Sequence, residues 1–298
     1  MKSNKISKKM DFFQIILYIV VSVYVLSMIY LLSFGLINSL KYWIDFNTGN
    51  VFGLPRPEFG WRFENYKKTF ELFYVQIKPI GEAPRNVYTI EMLWNSLSYS
   101  VCMAFFCIMT QVMTAYAVAK YDFKFRNLIY TVAIIVMLIP IVGSLASEVQ
   151  ISNMLGLRNN LLGICIMRCK YPGIYFLVFY ATFKSVSWTY AEAAQIDGAG
   201  HLQIFLRIML PMIKNSLFAV FILTFITNWN EYYTPMIFLP DRPTIAYGLF
   251  MYQNNTETAM STPIKLSAGF LTCIPIIVIF ILFRNKIMGN VNVGGIKG

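Results

Sequence analysis

Histidine occurs once in these 298 residues, charged side chains make up only 13% of them, and neither Gly-Lys-Ser nor Gly-Lys-Thr appears. A lone histidine excludes an HExxH zinc site, and the missing phosphate loop excludes nucleotide hydrolysis of the Walker type. The long apolar stretches contain no aspartate, so a two-carboxylate centre within them is excluded as well. Five cysteines (Cys102, Cys107, Cys165, Cys169 and Cys273) are an odd number without metal-ligand spacing, and they read as packing residues. We therefore expect no catalytic residue and no metal site. No tandem repeat or low-complexity tract is visible. The charge deficit decides most: it is about half the density of a soluble globular domain. With 57% hydrophobic positions and a mean hydropathy of +0.56, a water-soluble protein is excluded.

What fills the chain is apolar helix. Residues 12–37 carry no charge and are too long for a signal-peptide core, so they read as a spanning helix. Residues 92–119, 128–146, 161–184, 211–230 and 266–283 are the other candidates, giving six spans. Without the alternation of barrel strands these runs can satisfy their backbone only as helices. Pro140, Pro172, Pro211 and Pro275 predict kinks or helix starts in the last four, with Pro211 opening the fifth. The expectation is an all-α membrane protein in one domain over 1–298. Its parts are a tail at 1–11, a long outer loop at 38–91, a core at 92–284 with an interhelical loop at 185–211, and a tail at 285–298.

The net charge of +11 suggests nucleic acid until its location is read. With the N-terminal tail in the cytoplasm, inner segments hold thirteen basic residues against four acidic ones, while outer segments hold ten of each. That is an orientation signal: both termini face the cytoplasm, and nucleic-acid binding loses its support. The first outer loop, rich in Pro, Gly, Phe and Trp, is expected to be ordered and to pack on the outer surface.

Between spans four and five, Thr189 to His201 reads as a short helix ended by Gly198, with Thr189 and Glu192 at capping-box spacing. A second helix follows from about His201 to Met209, with Leu202, Phe205, Leu206 and Met209 on one face. On physics alone this is an amphipathic pair at the membrane surface. However, Glu192-Ala193-Ala194, Gly198, Ile208 and Leu210-Pro211 together resemble the EAA loop of integral-membrane subunits of bacterial ABC importers, without a gap in spacing. The resemblance extends over residues 92–298 to the carbohydrate group that includes the MalG-type permeases. Asn95-Ser96, the turn AYAVAKYDFKFRN, Leu155-Gly156-Leu157 with Asn159-Asn160, Asn228-Trp229-Asn230-Glu231 and the closing Gly294-Gly295-Ile296-Lys297-Gly298 are similar to its signatures. Where relatives carry Ile-Pro ahead of the first EAA helix, this chain has Val186-Ser187-Trp188, which leaves the helix start open.

The resemblance implies a multi-pass permease subunit of the bacterial plasma membrane, importing a sugar or oligosaccharide delivered by an extracytoplasmic binding protein. ATP and Mg belong to a separate cytoplasmic ATPase dimer; this chain binds no cofactor. A second permease chain, of different sequence in this group, completes the pore in the lipid. Glu192, Ala193, Ala194, Asp197, Gly198, Ile208, Leu210 and Pro211 are the expected coupling residues. A different small solute (acidic saccharide, polyol or amino acid) is the runner-up cargo, and an ion-coupled secondary transporter is the competing class.

Sugars are held by aromatic faces and planar polar groups, which Asn228, Trp229, Asn230, Glu231, Tyr232 and Tyr233 offer together. The alternative is an aromatic belt at the outer interface. Glu231 is expected to face protein, water or a cation. Arg168 and Lys170 are a second anomaly: either they snorkel from a shortened fourth span, or they line the path and favour an acidic saccharide.

Overall fold

A computed structural model describes residues 11–79, 81–139, 143–169, 173–254 and 261–288. The first span is α1 (Phe12–Ser39), started by Asp11, whose side chain accepts the Phe12 N–H at 2.8 Å while Gln14 reaches back to the Asp11 N–H. The segment after α1 carries regular structure: α2 (Trp43–Asn47) and α3 (Glu64–Leu72) lead into strands β1 (Tyr74–Ile77) and β2 (Arg85–Tyr88). The strands pair antiparallel, Tyr74 opposite Tyr88. This hairpin corrects the all-α expectation. Its YVQI and RNVY segments place Val75, Ile77 and Val87 on one buried face, the period-two pattern of a strand, and Gly81 (φ +83°) turns the chain between them.

Arg85 then grips Glu91 with both guanidinium ends, at 2.9 and 2.8 Å, at the start of α4 (Thr89–Lys120). The remaining elements are α5 (Arg126–Leu138), α6 (Leu145–Met154), α7 (Leu161–Arg168), α8 (Ile174–Ser185), α9 (Thr189–Ile196) and α10 (His201–Ile204). A π turn over Phe205–Met209 follows, then α11 (Leu210–Met212), α12 (Lys214–Trp229), α13 (Tyr233–Phe238), α14 (Ile245–Asn254) and α15 (Thr262–Met288). The fold is mainly helical. Among the described residues α1, α4 and α15 are long and apolar enough to cross a membrane, and a fourth crossing is available if α10 to α11 and α12, bent by 79°, count as one.

The other apolar stretches are interrupted. The helix expected over 128–146 ends at Leu138, because Ile139 precedes Pro140 and takes the extended conformation a following proline imposes (φ −86°, ψ 113°). The stretch 161–184 is divided between α7 and α8, with Cys169 and Gly173 both outside helical geometry around Pro172. The fifth stretch does not open at Pro211. That proline sits within α11, where its missing N–H is tolerated, and the chain bends at Ile213 instead. The last helix runs on to Met288, so the expected tail begins later than residue 285.

The chain divides into two compact units, residues 1–72 with 255–271, and residues 73–254 with 272–298. In the second, α4 is the spine. Ile108, Val112, Ala115 and Ala119 share one buried cluster with Phe176, Phe179 and Phe183. Gln111 adds a polar tie: its Oε1 accepts the N–H groups of Gly173 (3.2 Å) and Phe176 (3.1 Å), capping α8 from a neighbouring helix. Asn95 and Ser96 lie inside α4 and hold the entry to α14, through the Pro243 carbonyl (3.1 Å) and the Ile245 N–H (2.6 Å).

Candidate functional site

The interhelical loop forms two short helices about a glycine, as its sequence predicts. At the end of α9 the Gly198 N–H bonds the Gln195 carbonyl (3.0 Å) and the Ala199 N–H bonds that of Ala194 (2.9 Å), the paired closure of a Schellman motif. It requires a left-handed residue, which Gly198 supplies at φ +82°. The start of α9 differs from expectation. Thr189 is its first residue and caps nothing; Ser187 does so, accepting the Thr189 N–H at 3.3 Å and meeting the Thr189 hydroxyl at 2.8 Å. The helix starts one residue earlier than the capping-box reading requires: the Ala191 and Glu192 N–H groups that a Thr189 cap would take are bonded to the Trp188 carbonyl, at 2.8 and 3.2 Å.

The second helix also departs from its predicted face. Ile204, Phe205 and Met209 are buried, whereas Leu202 and Leu206 are exposed. The π turn inserts an extra residue per turn, so the face computed at α-helical spacing slips. Glu192, Ala193, Asp197, Gly198 and Pro211 are exposed, and Ala194, Ile208 and Leu210 are half-buried. Ile196 (86% exposed) and Leu202 (68%) stand on either side of the glycine turn, an apolar tip that the hairpin itself leaves uncovered.

The end of α4 grips this hairpin, a role sequence reasoning missed. Lys120 Nζ donates to the Val186 carbonyl at 2.5 Å, and Tyr121 Oη lies 3.0 Å from His201 Nδ1. The Tyr121 ring meets Trp188 edge-on (5.6 Å) and His201 likewise (5.5 Å), and Tyr116 lies against Phe183 and Phe205. Tyr121 thus touches both arms of the hairpin, at Trp188 before α9 and at His201, the first residue of α10. The five-residue spacing of Tyr116 and Tyr121 in the turn AYAVAKYDFKFRN was its only sequence signal.

The second candidate region gathers around the end of α12. Trp229, Asn230 and Tyr232 line a cavity of about 200 Å³ together with Cys273 and with Phe250 and Gln253, two residues the sequence did not single out. Tyr232 and Phe250 stack at 4.5 Å with 13° between planes. Asn228 and Asn230 each direct an amide donor back to their own helix, to Thr224 (2.8 Å) and Ile226 (3.0 Å). Glu231 faces protein: it accepts the N–H groups of Tyr233 (2.8 Å) and Thr234 (3.1 Å) and so starts α13. Tyr233 is exposed and is not among the lining residues. Cys273 is exposed on the cavity, unlike buried Cys107 and Cys165, which corrects its reading as a packing residue.

Arg168 is paired. Its guanidinium lies 3.0 Å from Glu148, which the Ser144 hydroxyl also bonds (2.8 Å), and it covers the Phe238 ring at 4.8 Å. Lys170 lies outside the described residues, as do the closing glycines from Gly294. Among the described residues no cluster of histidine, cysteine and acidic side chains is arranged to hold a metal.

Residues 111–292 match the family described as binding-protein-dependent transport system inner membrane component. The chain belongs to that family. Similarity to individual members supports it. The arabinooligosaccharides transport system permease protein AraQ of Halalkalibacterium halodurans is 30% identical over 211 residues, covering 68% of this chain and 73% of that one. The diacetylchitobiose uptake system permease protein NgcG of Streptomyces coelicolor is 26% identical over 254 residues, or 83% and 79% of the two. The fold matches a chain from the crystal structure of a bacterial ABC transporter involved in the import of the acidic polysaccharide alginate. That match has a TM-score of 0.69 and 21% identity, over 92% of this chain and 95% of the other. As a member of the binding-protein-dependent family, this chain is an inner-membrane transport component.

Proposed function

We propose that this chain is one permease subunit of an ATP-driven importer whose cargo is a sugar or oligosaccharide, received from an extracytoplasmic binding protein. The relatives named for arabinooligosaccharide and diacetylchitobiose transport support that cargo. In this reading the chain crosses six times with both termini in the cytoplasm, and the interrupted stretches 126–154 and 161–185 supply the third and fourth crossings. A second permease chain completes the pore. ATP and Mg sit on a separate ATPase pair, and this chain does no chemistry on them.

The observation that carries the proposal is the hairpin. Residues 189–212 present an uncovered apolar tip beside exposed Glu192, Ala193 and Asp197, and the end of α4 touches both arms of the hairpin, at Trp188 and His201. A cleft on the ATPase takes the tip, and closure of the ATPase pair pulls on α4 and α12 through Tyr121, Trp188 and the bend at Ile213. Ile208, Leu210 and Pro211 set that bend. Asn228 to Tyr233 and the adjacent cavity form part of the sugar path. Arg168, already answered by Glu148, favours a neutral saccharide over an acidic one.

Gly198→Pro tests the coupling. A proline cannot take φ +82°, so the hairpin loses its turn while the spans are untouched. The expected result is a complex that still inserts and still hydrolyses ATP but no longer accumulates sugar; undiminished uptake would refute the assignment.

A further inference from the structure

Beyond α1 the chain closes a small loop around buried charge. The Lys41 ammonium, with no exposure, donates to the carbonyls of Asn50 (2.5 Å) and Val51 (3.3 Å). Asp45, equally buried, accepts from Asn50 Nδ2 (3.0 Å) and the Arg56 N–H (3.1 Å), with Arg56 Nε at 3.5 Å. Asn50 Nδ2 also donates to the Leu54 carbonyl at 2.8 Å. Burial pushes the Lys41 ammonium below its ordinary value, partly opposed by Asp45. Burial pushes Asp45 up, but the hydrogen bonds from Asn50 and Arg56, with the charge of Arg56, carry it below the usual carboxylate range.

These ties leave residues 49–56 little freedom. Gly49 makes the bend at φ +91°, and a Cβ on Gly53 would collide with Asn50 Oδ1, whose side chain is held at both Asp45 and Leu54. The apex is nevertheless apolar and points outward: Phe52 is 82% exposed and Leu54 64%. A loop in water turns such groups inward; this one turns its ions inward and its hydrocarbon out.

The neighbours say what lies there. The Phe52 ring meets Phe34 of α1 at 5.6 Å, five residues before that helix ends, so it sits roughly 7.5 Å back along the helix axis. Every residue of α1 from Phe12 to Ser33 is exposed, and its composition is that of a membrane span. Trp43 and Trp61 stand half-exposed nearby in sequence, and Tyr42 is held between Phe59 (5.6 Å) and the Arg62 guanidinium (4.9 Å). Tryptophan and tyrosine at a span's end mark the boundary between headgroups and acyl chains.

We propose that residues 50–54 form a membrane hook, in which Phe52 and Leu54 enter the lipid boundary at the C-terminal end of α1 and the buried Lys41–Asp45 cluster holds them there. The hook fixes the height of the loop that follows α1 against the bilayer, and it stands independently of the cargo and coupling readings.

Spin labels at Phe52→Cys, Leu54→Cys and the exposed control Glu58→Cys test it. They are placed in a chain whose native cysteines are replaced by serine, reconstituted with its partner subunits in phosphatidylcholine and phosphatidylglycerol nanodiscs. Power saturation compares oxygen, which concentrates in acyl chains, with a water-soluble nickel chelate. The expected result is oxygen accessibility above nickel accessibility at 52 and 54 and the reverse at 58. Nickel prevailing at 52 and 54 would place the apex in water, and exclusion of both relaxers would place a protein partner over it; either overturns the proposal. Gly53→Ala, which displaces Asn50, should shift label 52 toward the nickel value. An unchanged ratio would mean that the buried cluster does not hold the hook.

Discussion

The hairpin that follows α8 and the hook that follows α1 are both short apolar-tipped excursions, yet opposite chemistry holds them. The hook is closed over Lys41 and Asp45, each fully buried, with directional bonds on nearly every side. The hairpin is held by apolar burial and ring contacts, with Ala191, Ile204, Phe205 and Met209 in the core cluster and Tyr121 edge-on to Trp188 and His201, beside two side-chain hydrogen bonds from the end of α4. Such contacts are non-directional and tolerate small rotation and sliding, whereas the bonds that satisfy a buried charge are lost when a partner moves. The hook therefore suits a fixed anchor and the hairpin a lever.

The largest expected effect breaks the rigid side of this contrast. Asp45→Ala removes the acceptor of the Asn50 amide and the Arg56 N–H, and takes the nearby negative charge from the buried Lys41 ammonium; leaving those donors unmet should cost about 1–3 kcal/mol locally. Limited proteolysis of the reconstituted chain should then cut between residues 40 and 62; the same cutting pattern as the parent would contradict it. Acid acts in the same direction. Because the folded-state value of Asp45 is depressed, its contribution is complete above the unfolded carboxylate value and is lost as pH falls through the folded one.

Tyr121→Phe probes the lever. It keeps the ring contacts and removes the hydroxyl facing His201, worth about 1 kcal/mol. The solute moved per ATP hydrolysed should fall by up to about fivefold, with the loop around Asp45 unaffected. An unchanged ratio would confine coupling to the rings. Ser187→Ala is the smallest step, removing the cap of α9 for roughly 0.5–1 kcal/mol, and should appear as a slight lowering of the thermal midpoint without uncoupling.

The sequence made the spans legible where composition decides them. Residues 12–37 and 92–119 lack both charge and proline, and the structure extends each by only a few residues. It was less informative where the answer depends on distant partners. Glu148 gives no hint that it will neutralise Arg168, and Gln111 none that it will cap α8, because both ties link residues far apart along the chain. The turn at Gly198 was readable because glycine best tolerates that backbone, whereas the Thr189 cap failed because the N-cap position falls at Trp188, whose carbonyl takes the N–H groups of Ala191 and Glu192. Leu202 and Leu206 were grouped on one face with Phe205 and Met209 on the assumption of regular α spacing, which the π turn breaks, so that only Phe205 and Met209 are buried. Phe250 and Cys273 join Trp229 at the cavity from elements 20 and more residues away, and a single sequence carries no signal for that.

The interruptions at Ile139 and Cys169 carry a further consequence. A helix that stops leaves its last carbonyls without an intrahelical donor, and hydrocarbon offers none. The chain answers part of this itself: the Ile135 carbonyl accepts the Ile139 N–H, that of Ile166 the Cys169 N–H, and that of Arg168 the Cys107 thiol. Any carbonyl left over at such an end needs moisture or polypeptide beside it, so neither end suits a face turned wholly to oil.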